Sequence, residues 1–249
     1  MSQSSLILSP RSGQERELLY ELIEKQRYGV EYQPLICTRS GEILAYEALA
    51  RFFTSDGQLL SPITVFDLLH DEIPLLSKVE LDLKKLQIDY APSHYDLFLN
   101  VDPHAIEDIS DLHYDLLLQQ LVNQPNIVVE LIENSDIHDA RAAMKLHKRL
   151  KVNGTKTALD DIGADHALLS LEILSLVDYM KFDRSWPDKL CVQRYSLLFK
   201  SLLGYASLTG KKTVLEGIET KEMLAIACDS GIDRVQGFLY RPLFHSVNP

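Results

Sequence analysis

Cysteine is scarce: the 249 residues contain three, Cys37, Cys191 and Cys228. They are odd in number, far apart and without a CxxC pair, so neither a disulfide framework nor a thiolate zinc site is expected. The thiols read as reduced, in a cytoplasmic setting. No two histidines stand at HxH or HExxH spacing, which removes the common imidazole zinc motifs. Positive charge is also short, with 25 Lys plus Arg against 36 Asp plus Glu and a net charge of −11. No global field therefore draws the chain to a nucleic-acid polymer or an anionic membrane, and no helix-turn-helix pattern is present. An anionic ligand would need local help from metal ions or a well-placed arginine. No apolar run approaches the ~20 residues of a membrane span. The N-terminus offers only Leu6, Ile7 and Leu8 with no basic stretch before them, so no signal peptide is expected. Pro/Gly/Ser-rich linkers, low-complexity blocks and solenoid repeats are absent too, which favours a short tail over 1–13 and one domain over 14–249.

What is present is an ordinary globular balance of 46% apolar and 24% charged residues. An amphipathic segment from Gln14 to Arg27 puts Leu18, Leu19, Leu22 and Ile23 on one helical face, with Gly29 as its stop. Strand-like runs follow at Val30–Cys37, Ile43–Phe53, Tyr95–Val101, Ile127–Ile132, Lys156–Asp160, Tyr179–Asp183, Thr213–Glu216 and Arg234–Gln236. Helical periodicity fills most of the intervals, as at Leu75–Tyr90 and Ala140–Leu150. Strands alternating with helices imply βαβ units and a largely parallel sheet. The first two runs are joined by only Thr38-Arg39-Ser40-Gly41-Glu42, too short for a crossover helix, so they should pair antiparallel. Eight strands at this length predict an α/β fold of the (β/α)8 barrel type with one irregular strand, an open doubly wound sheet being the alternative.

Most of these runs carry a polar residue at or near the C-terminal end of an apolar stretch: Glu47, Asn100, Glu130, Asp160 with Asp161, Lys181, Glu216 and Gln236. Successive members mostly lie about one βα unit apart, and the longer gap from Glu47 to Asn100 has room for an extra helix. In a barrel they would converge on the C-terminal face, where such folds keep their active sites. A single strand-end Glu is usually solvated or ion-paired, an Asp-Asp pair is commonly a turn or a helix cap, and a strand-end Lys is usually a surface charge. Recurrence at one position of the unit gives the convergent reading its weight. Carboxylates gathered in a buried place need a cation. An oxygen-rich donor set suits Mg²⁺ or Mn²⁺ rather than zinc, and Asp160 with Asp161 could serve two ions.

The residues also resemble a known family. Glu47-Ala48-Leu49-Ala50-Arg51 is similar to the signature of the EAL-domain cyclic di-GMP phosphodiesterases. Other motifs follow in the family's order: Tyr32-Gln33-Pro34-Leu35, Asn100, Glu130-Leu131-Ile132-Glu133, Asp160-Asp161-Ile162-Gly163, Lys181-Phe182-Asp183-Arg184-Ser185, Glu216-Gly217-Ile218-Glu219-Thr220 and Gln236-Gly237-Phe238. The similarity spans about Glu17 to Leu243. It implies a modified TIM barrel with an antiparallel first strand. The implied activity is metal-dependent hydrolysis of one 3′–5′ phosphodiester bond of cyclic di-GMP to linear pGpG, with two Mg²⁺ or Mn²⁺ ions. It further implies Glu47, Asn100, Glu130 and Asp160 as ligands of one ion, with Glu47 also in the catalytic set. Asp160 would be shared with a second ion held by Asp161, with Glu216 near it through water. Lys181 would position the attacking water and Glu216 assist as base. Arg51 and Gln33 would contact the substrate, Gln236 would support the metal shell, and Glu133 and Glu219 would be structural anchors. Family members commonly pair, so a homodimer, or another protein partner, is implied as well.

One loop departs from the family pattern. After the Asp pair the chain reads Ile162-Gly163-Ala164-Asp165-His166-Ala167-Leu168, with Asp165 where the family has a second glycine. A positive φ would be costly for Asp there. Two readings stand side by side: a hydrolase whose loop is differently capped, and a catalytically inactive cyclic di-GMP receptor or regulatory interaction protein. Trp186, where an apolar aromatic is usual, is expected to pack in the core.

Overall fold

The computed structural model describes residues 13–106, 112–131, 137–165 and 168–249. Helix α1 (Gly13–Glu24) leads into strand β1 (Tyr28–Cys37), which turns back into β2 (Ile43–Phe53). A short β3 (Leu59–Leu60) and two helices, α2 (Pro62–Leu69) and α3 (Ile73–Asp89), occupy the long interval before β4 (Asp96–Asn100). The chain then alternates through α4 (Leu112–Val122), β5 (Ile127–Leu131), α5 (Ile137–Val152), β6 (Lys156–Ile162), α6 (Leu171–Leu176) and β7 (Tyr179–Phe182). It finishes with α7 (Trp186–Lys189), α8 (Gln193–Thr209), β8 (Lys212–Leu215), α9 (Lys221–Ser230), β9 (Arg234–Val235) and β10 (His245–Val247).

From β2 through β4, β5, β6, β7 and β8 to β9 each strand pairs parallel with the next. β1 closes the ring by pairing antiparallel with both β2 and β9. The result is an eight-stranded α/β barrel with its first strand reversed, as the short 38–42 connection requires. All eight predicted strands are found, within a few residues at either end. Gly29 does not stop the first helix: α1 ends at Glu24, and Gly29 lies inside β1, where a Cβ would come within 2.7 Å of the Val247 carbonyl of β10. The glycine answers to strand packing, a long-range contact that helical periodicity does not report.

The helices bury one face each. On α3, Leu76, Val79, Leu83 and Gln87 recur at three- and four-residue steps and are all buried. α9 opens with the Thr220 side chain accepting from the Met223 amide and ends at Gly231 in the left-handed conformation. No helix among the described residues is long and apolar enough to cross a membrane.

Period-two alternation organises the barrel interior. Leu35, Ala45, Phe98, Val128, Ala158, Tyr179 and Val214 form a compact buried cluster inside the ring. Two residues further towards the C-terminal ends of the parallel strands, on the same side of each, stand Glu47, Asn100, Glu130, Asp160, Lys181 and Glu216. On reversed β1 the step runs backwards, from Leu35 to Gln33. β9 adds Arg234, packed over the Tyr179 ring, and Gln236 two residues on. An apolar plug thus carries a polar layer directly above it.

Candidate active site

Lys181 occupies the centre of that polar layer and has no solvent exposure. Its Nζ lies 2.9 Å from Asp160 Oδ1, 2.7 Å from Glu216 Oε1 and 3.4 Å from Glu47 Oε2, and it also contacts Glu130 Oε1. Carboxylate oxygens of Glu47, Glu130 and Asp160 fall within 4.8 Å of one another, and so do those of Asp160, Asp161 and Glu216. Asp160 belongs to both groups. Asn100 joins the first by donating from Nδ2 to Glu47 Oε1 at 3.0 Å.

One ammonium faces five carboxyl groups here, and removing charge from water costs several kcal/mol per ion unless it is matched. Burial, reinforced by the charges of Glu47 and Asp160, pushes Glu130 well above the ordinary carboxyl range. Burial and Asp160 raise Glu216 well above it too, and burial with the Asp160 charge lifts Asp161 to about 6. Asp160 is raised chiefly by burial. Glu47 moves the other way: burial opposes its charge, but Lys181 and the Gln236 hydrogen bond outweigh it. Lys181, although buried, is held firmly protonated by Asp160, Glu130, Glu216 and Glu47. Carboxyl groups therefore outnumber the one ammonium that could match their charge. Among the described residues Glu130 Oε2 has no hydrogen-bond partner, although it is buried. An all-oxygen donor set with an unmatched buried oxygen fits hard divalent cations.

Two adjacent strand residues ordinarily face opposite sides, yet Asp160 and Asp161 both reach this site. The cause is a β-bulge. Leu159 pairs with Met180 and Ile162 with Phe182, so two residues of β6 oppose Lys181 alone. Asp161 consequently has φ 54°, a left-handed conformation costing roughly 1–3 kcal/mol for a non-glycine residue. Asp165 does not share it: among the described residues, the non-glycine positive φ values belong to Gln26, His94 and Asp161. Backbone strain falls on the second Asp of the pair rather than at the substituted loop position.

Around the carboxylates lies a pocket of about 230 Å³ lined in part by Gln33, Leu49, Arg184, Glu219, Gln236 and Phe238. Gln236 Nε2 donates to Glu47 Oε2 at 2.6 Å and to Gln33 Oε1 at 3.3 Å, tying three strands together. Gly237 lets the chain leave β9 against Ile218, since a Cβ there would sit 2.2 Å from the Ile218 nitrogen. Arg51 stands on β2 outside the carboxylate groups, with Nη2 2.6 Å from Glu31 Oε1, and lines an adjoining hollow of about 340 Å³ with Asn100 and His70. Glu219 is exposed at the pocket rim. Glu133, His166 and Ala167 lie outside the described residues. Sequence reasoning gave no role to Glu31, Arg184 or Phe238. The latter two stand inside quoted motifs, which was the available signal, while Glu31 is marked only by its place beside Tyr32-Gln33.

The family model described as "EAL domain" matches residues 16–242. "Probable cyclic di-GMP phosphodiesterase PdeB" of Escherichia coli (strain K12) is 30% identical over 230 residues, covering 89% of this chain and 44% of the relative. The chain thus spans less than half of that protein's length. Among solved structures, "PaMucR Phosphodiesterase, c-di-GMP complex" superposes with TM-score 0.75 at 21% identity, covering 91% of this chain and 95% of that one. A Klebsiella pneumoniae structure, "BlrP1 pH 9.0 manganese/cy-diGMP complex", gives TM-score 0.71 at 24% identity, covering 86% and 55%. At those identities the structural likeness is one of fold.

Proposed function

The chain belongs to the EAL domain family, and on that premise we propose that it hydrolyses one 3′–5′ phosphodiester bond of cyclic di-GMP to give linear pGpG, using two Mg²⁺ or Mn²⁺ ions. The observation that carries this reading is the pair of carboxylate groups sharing Asp160 around a buried lysine. Glu47, Asn100, Glu130 and Asp160 would hold one ion, with Asp160, Asp161 and Glu216 around the other. Bound there, divalent cations would polarise the phosphoryl group and acidify water. Lys181 orients the attacking water towards phosphorus and Glu216 accepts its proton. The 3′-oxygen leaves with a proton, and the phosphate stays on the 5′ side. Arg51, with its planar fork, holds a non-bridging phosphate pair once released from Glu31. Gln33 contacts the nucleotide, Gln236 fixes Glu47, and Glu133 and Glu219 anchor the surrounding loops. Residues 14–249 act as one EAL domain in the cytoplasm, with a homodimer as the proposed assembly.

The test is to incubate purified protein with cyclic di-GMP and Mg²⁺ or Mn²⁺ and follow pGpG by chromatography. Wild type should form pGpG. Glu47→Ala should lose more than the roughly 10–100-fold that removing an outer-shell partner of a metal costs. Binding without pGpG would replace the hydrolase with a receptor, and absence of both would remove the nucleotide from the reading.

A further inference from the structure

The bulge that brings Asp161 to the site needs something to hold it, because a left-handed aspartate at a strand end relaxes unless its surroundings fix it. The structure supplies fixings at three consecutive carbonyls. Asp161 O accepts from the Ala164 amide at 2.9 Å, closing a tight turn. Ile162 O accepts from the Asp183 amide at 3.2 Å and from the indole Nε1 of Trp186 at 2.7 Å. Gly163 O accepts from Lys189 Nζ at 2.6 Å, and the same ammonium lies 2.8 Å from Asp165 Oδ1. Gly163 has φ 87°, and a Cβ on it would come within 2.6–2.8 Å of the Trp186 ring, so turn and indole are in direct contact.

Both side chains come from α7 and are themselves anchored. Trp186 is 1% exposed and packs against Phe182 and Phe199, at centroid distances of 6.1 and 4.8 Å. Lys189 reaches the turn from the opposite end of the same short helix, with its side chain 18% exposed. The expected core role of Trp186 is met, and its N–H adds a bond that a purely apolar ring would lack.

We propose that Trp186 and Lys189 are positioning residues for the second cation: they clamp the 162–165 turn so that the Asp161 carboxylate stays beside Asp160 and Glu216. Asp165 belongs to the clamp as the counter-charge of Lys189. The inference rests on the two-cation reading above. Neither side chain is among the carboxylates of the site, so its effect passes through the backbone of the turn.

The test measures Mn²⁺ binding to the whole chain by electron paramagnetic resonance, without substrate, alongside kcat and KM for pGpG formation and circular dichroism to verify folding. Wild type should bind two Mn²⁺ ions. Lys189→Met and Trp186→Phe should each weaken the second ion by about tenfold or more and leave the first within about twofold, the range expected for outer-shell partners. kcat should fall with KM nearly unchanged, and Lys189→Arg should recover part of the second-ion affinity. Unchanged second-ion affinity in both folded variants overturns the clamp while leaving the hydrolase reading intact. Equal weakening of both ions would also overturn it, in favour of general destabilisation. A wild type binding fewer than two ions overturns the clamp and the two-cation reading together.

Discussion

Lys181 sets the charge balance of the polar layer. It is the central ammonium among the buried carboxyl groups of Glu47, Glu130, Asp160 and Glu216. Deleting it leaves those groups without their shared cation, and breaking a buried ion pair costs about 3–5 kcal/mol. Part of that loss is offset when carboxyls already displaced upwards take up protons. Metal ions would supply the missing charge directly. Thermal unfolding of Lys181→Met should therefore show a wider gap between chelator and excess Mn²⁺ than wild type does. An equal gap would mean that the ammonium is not the counter-charge of the site. In the same variant, pGpG formation should vanish while cyclic di-GMP binding is largely kept. Much of this was legible beforehand: Glu47, Asn100, Glu130, Asp160 and Lys181 stand two residues beyond apolar positions on their strands, a regularity that period two makes visible. The Glu31–Arg51 pair was not, because it joins neighbouring strands through a register that only the folded hairpin defines.

At the scale of elements, β6 and α5 divide different duties. β6 carries the bulge that aims both aspartates inwards, and nothing in Thr157-Ala158-Leu159-Asp160-Asp161 marks an extra residue: the irregularity exists only relative to β7. β3 and β10 also escaped the sequence reading, since runs of two and three residues have no measurable period. The long strands and amphipathic helices were legible because their faces are buried in regular steps. α5 packs on β6 through His147, which is 3% exposed and has Nδ1 3.1 Å from Thr157 Oγ1. Burial, with Lys151, Lys211 and Lys148 nearby and Asp178 opposing them, lowers its pKa from the ordinary 6.5. The unfolded chain thus takes up this proton first as pH falls. The stability contribution is complete above about 6.5 and is lost on acidification through the folded pKa, with a slope of at most about 1.4 kcal/mol per pH unit. The raised carboxyls act in the opposite direction, so the quantity to compare is wild type against His147→Gln. Urea unfolding at pH 7.5 and 5.5 should show wild type losing more stability than the variant. Parallel losses would remove His147 as a source of acid sensitivity.

For the whole molecule the question is whether the site and the barrel can come apart. β9 meets β1 over Ile36–Val235 and Cys37–Arg234 only, and meets β8 over two residues, so this is the narrowest seam of the ring. Side chains reinforce it from both directions. Thr38 Oγ1 donates to Ile232 O at 2.5 Å, and Gln236 links β9 to Gln33 on β1 and Glu47 on β2. On the same edge, further back along the strand, β1 pairs with β10, so a strand near the start of the fold is bonded to two segments near its end. Opening the seam would separate Gln236 from Glu47 and release part of the polar layer, while cutting the chain between β5 and β6 would part Glu47 and Glu130 from Asp160. Site and ring are therefore expected to unfold as one cooperative unit. Calorimetry in chelator should give a single transition with van't Hoff and calorimetric enthalpies in a ratio near one, the mark of two-state unfolding. Saturating Mn²⁺ should move that one transition upwards by mass action without splitting it, because cations held by the proposed ligands, which come from segments all round the barrel, would bind only the closed ring. Two resolved transitions, one of them insensitive to Mn²⁺, would show instead that part of the chain folds independently of the site.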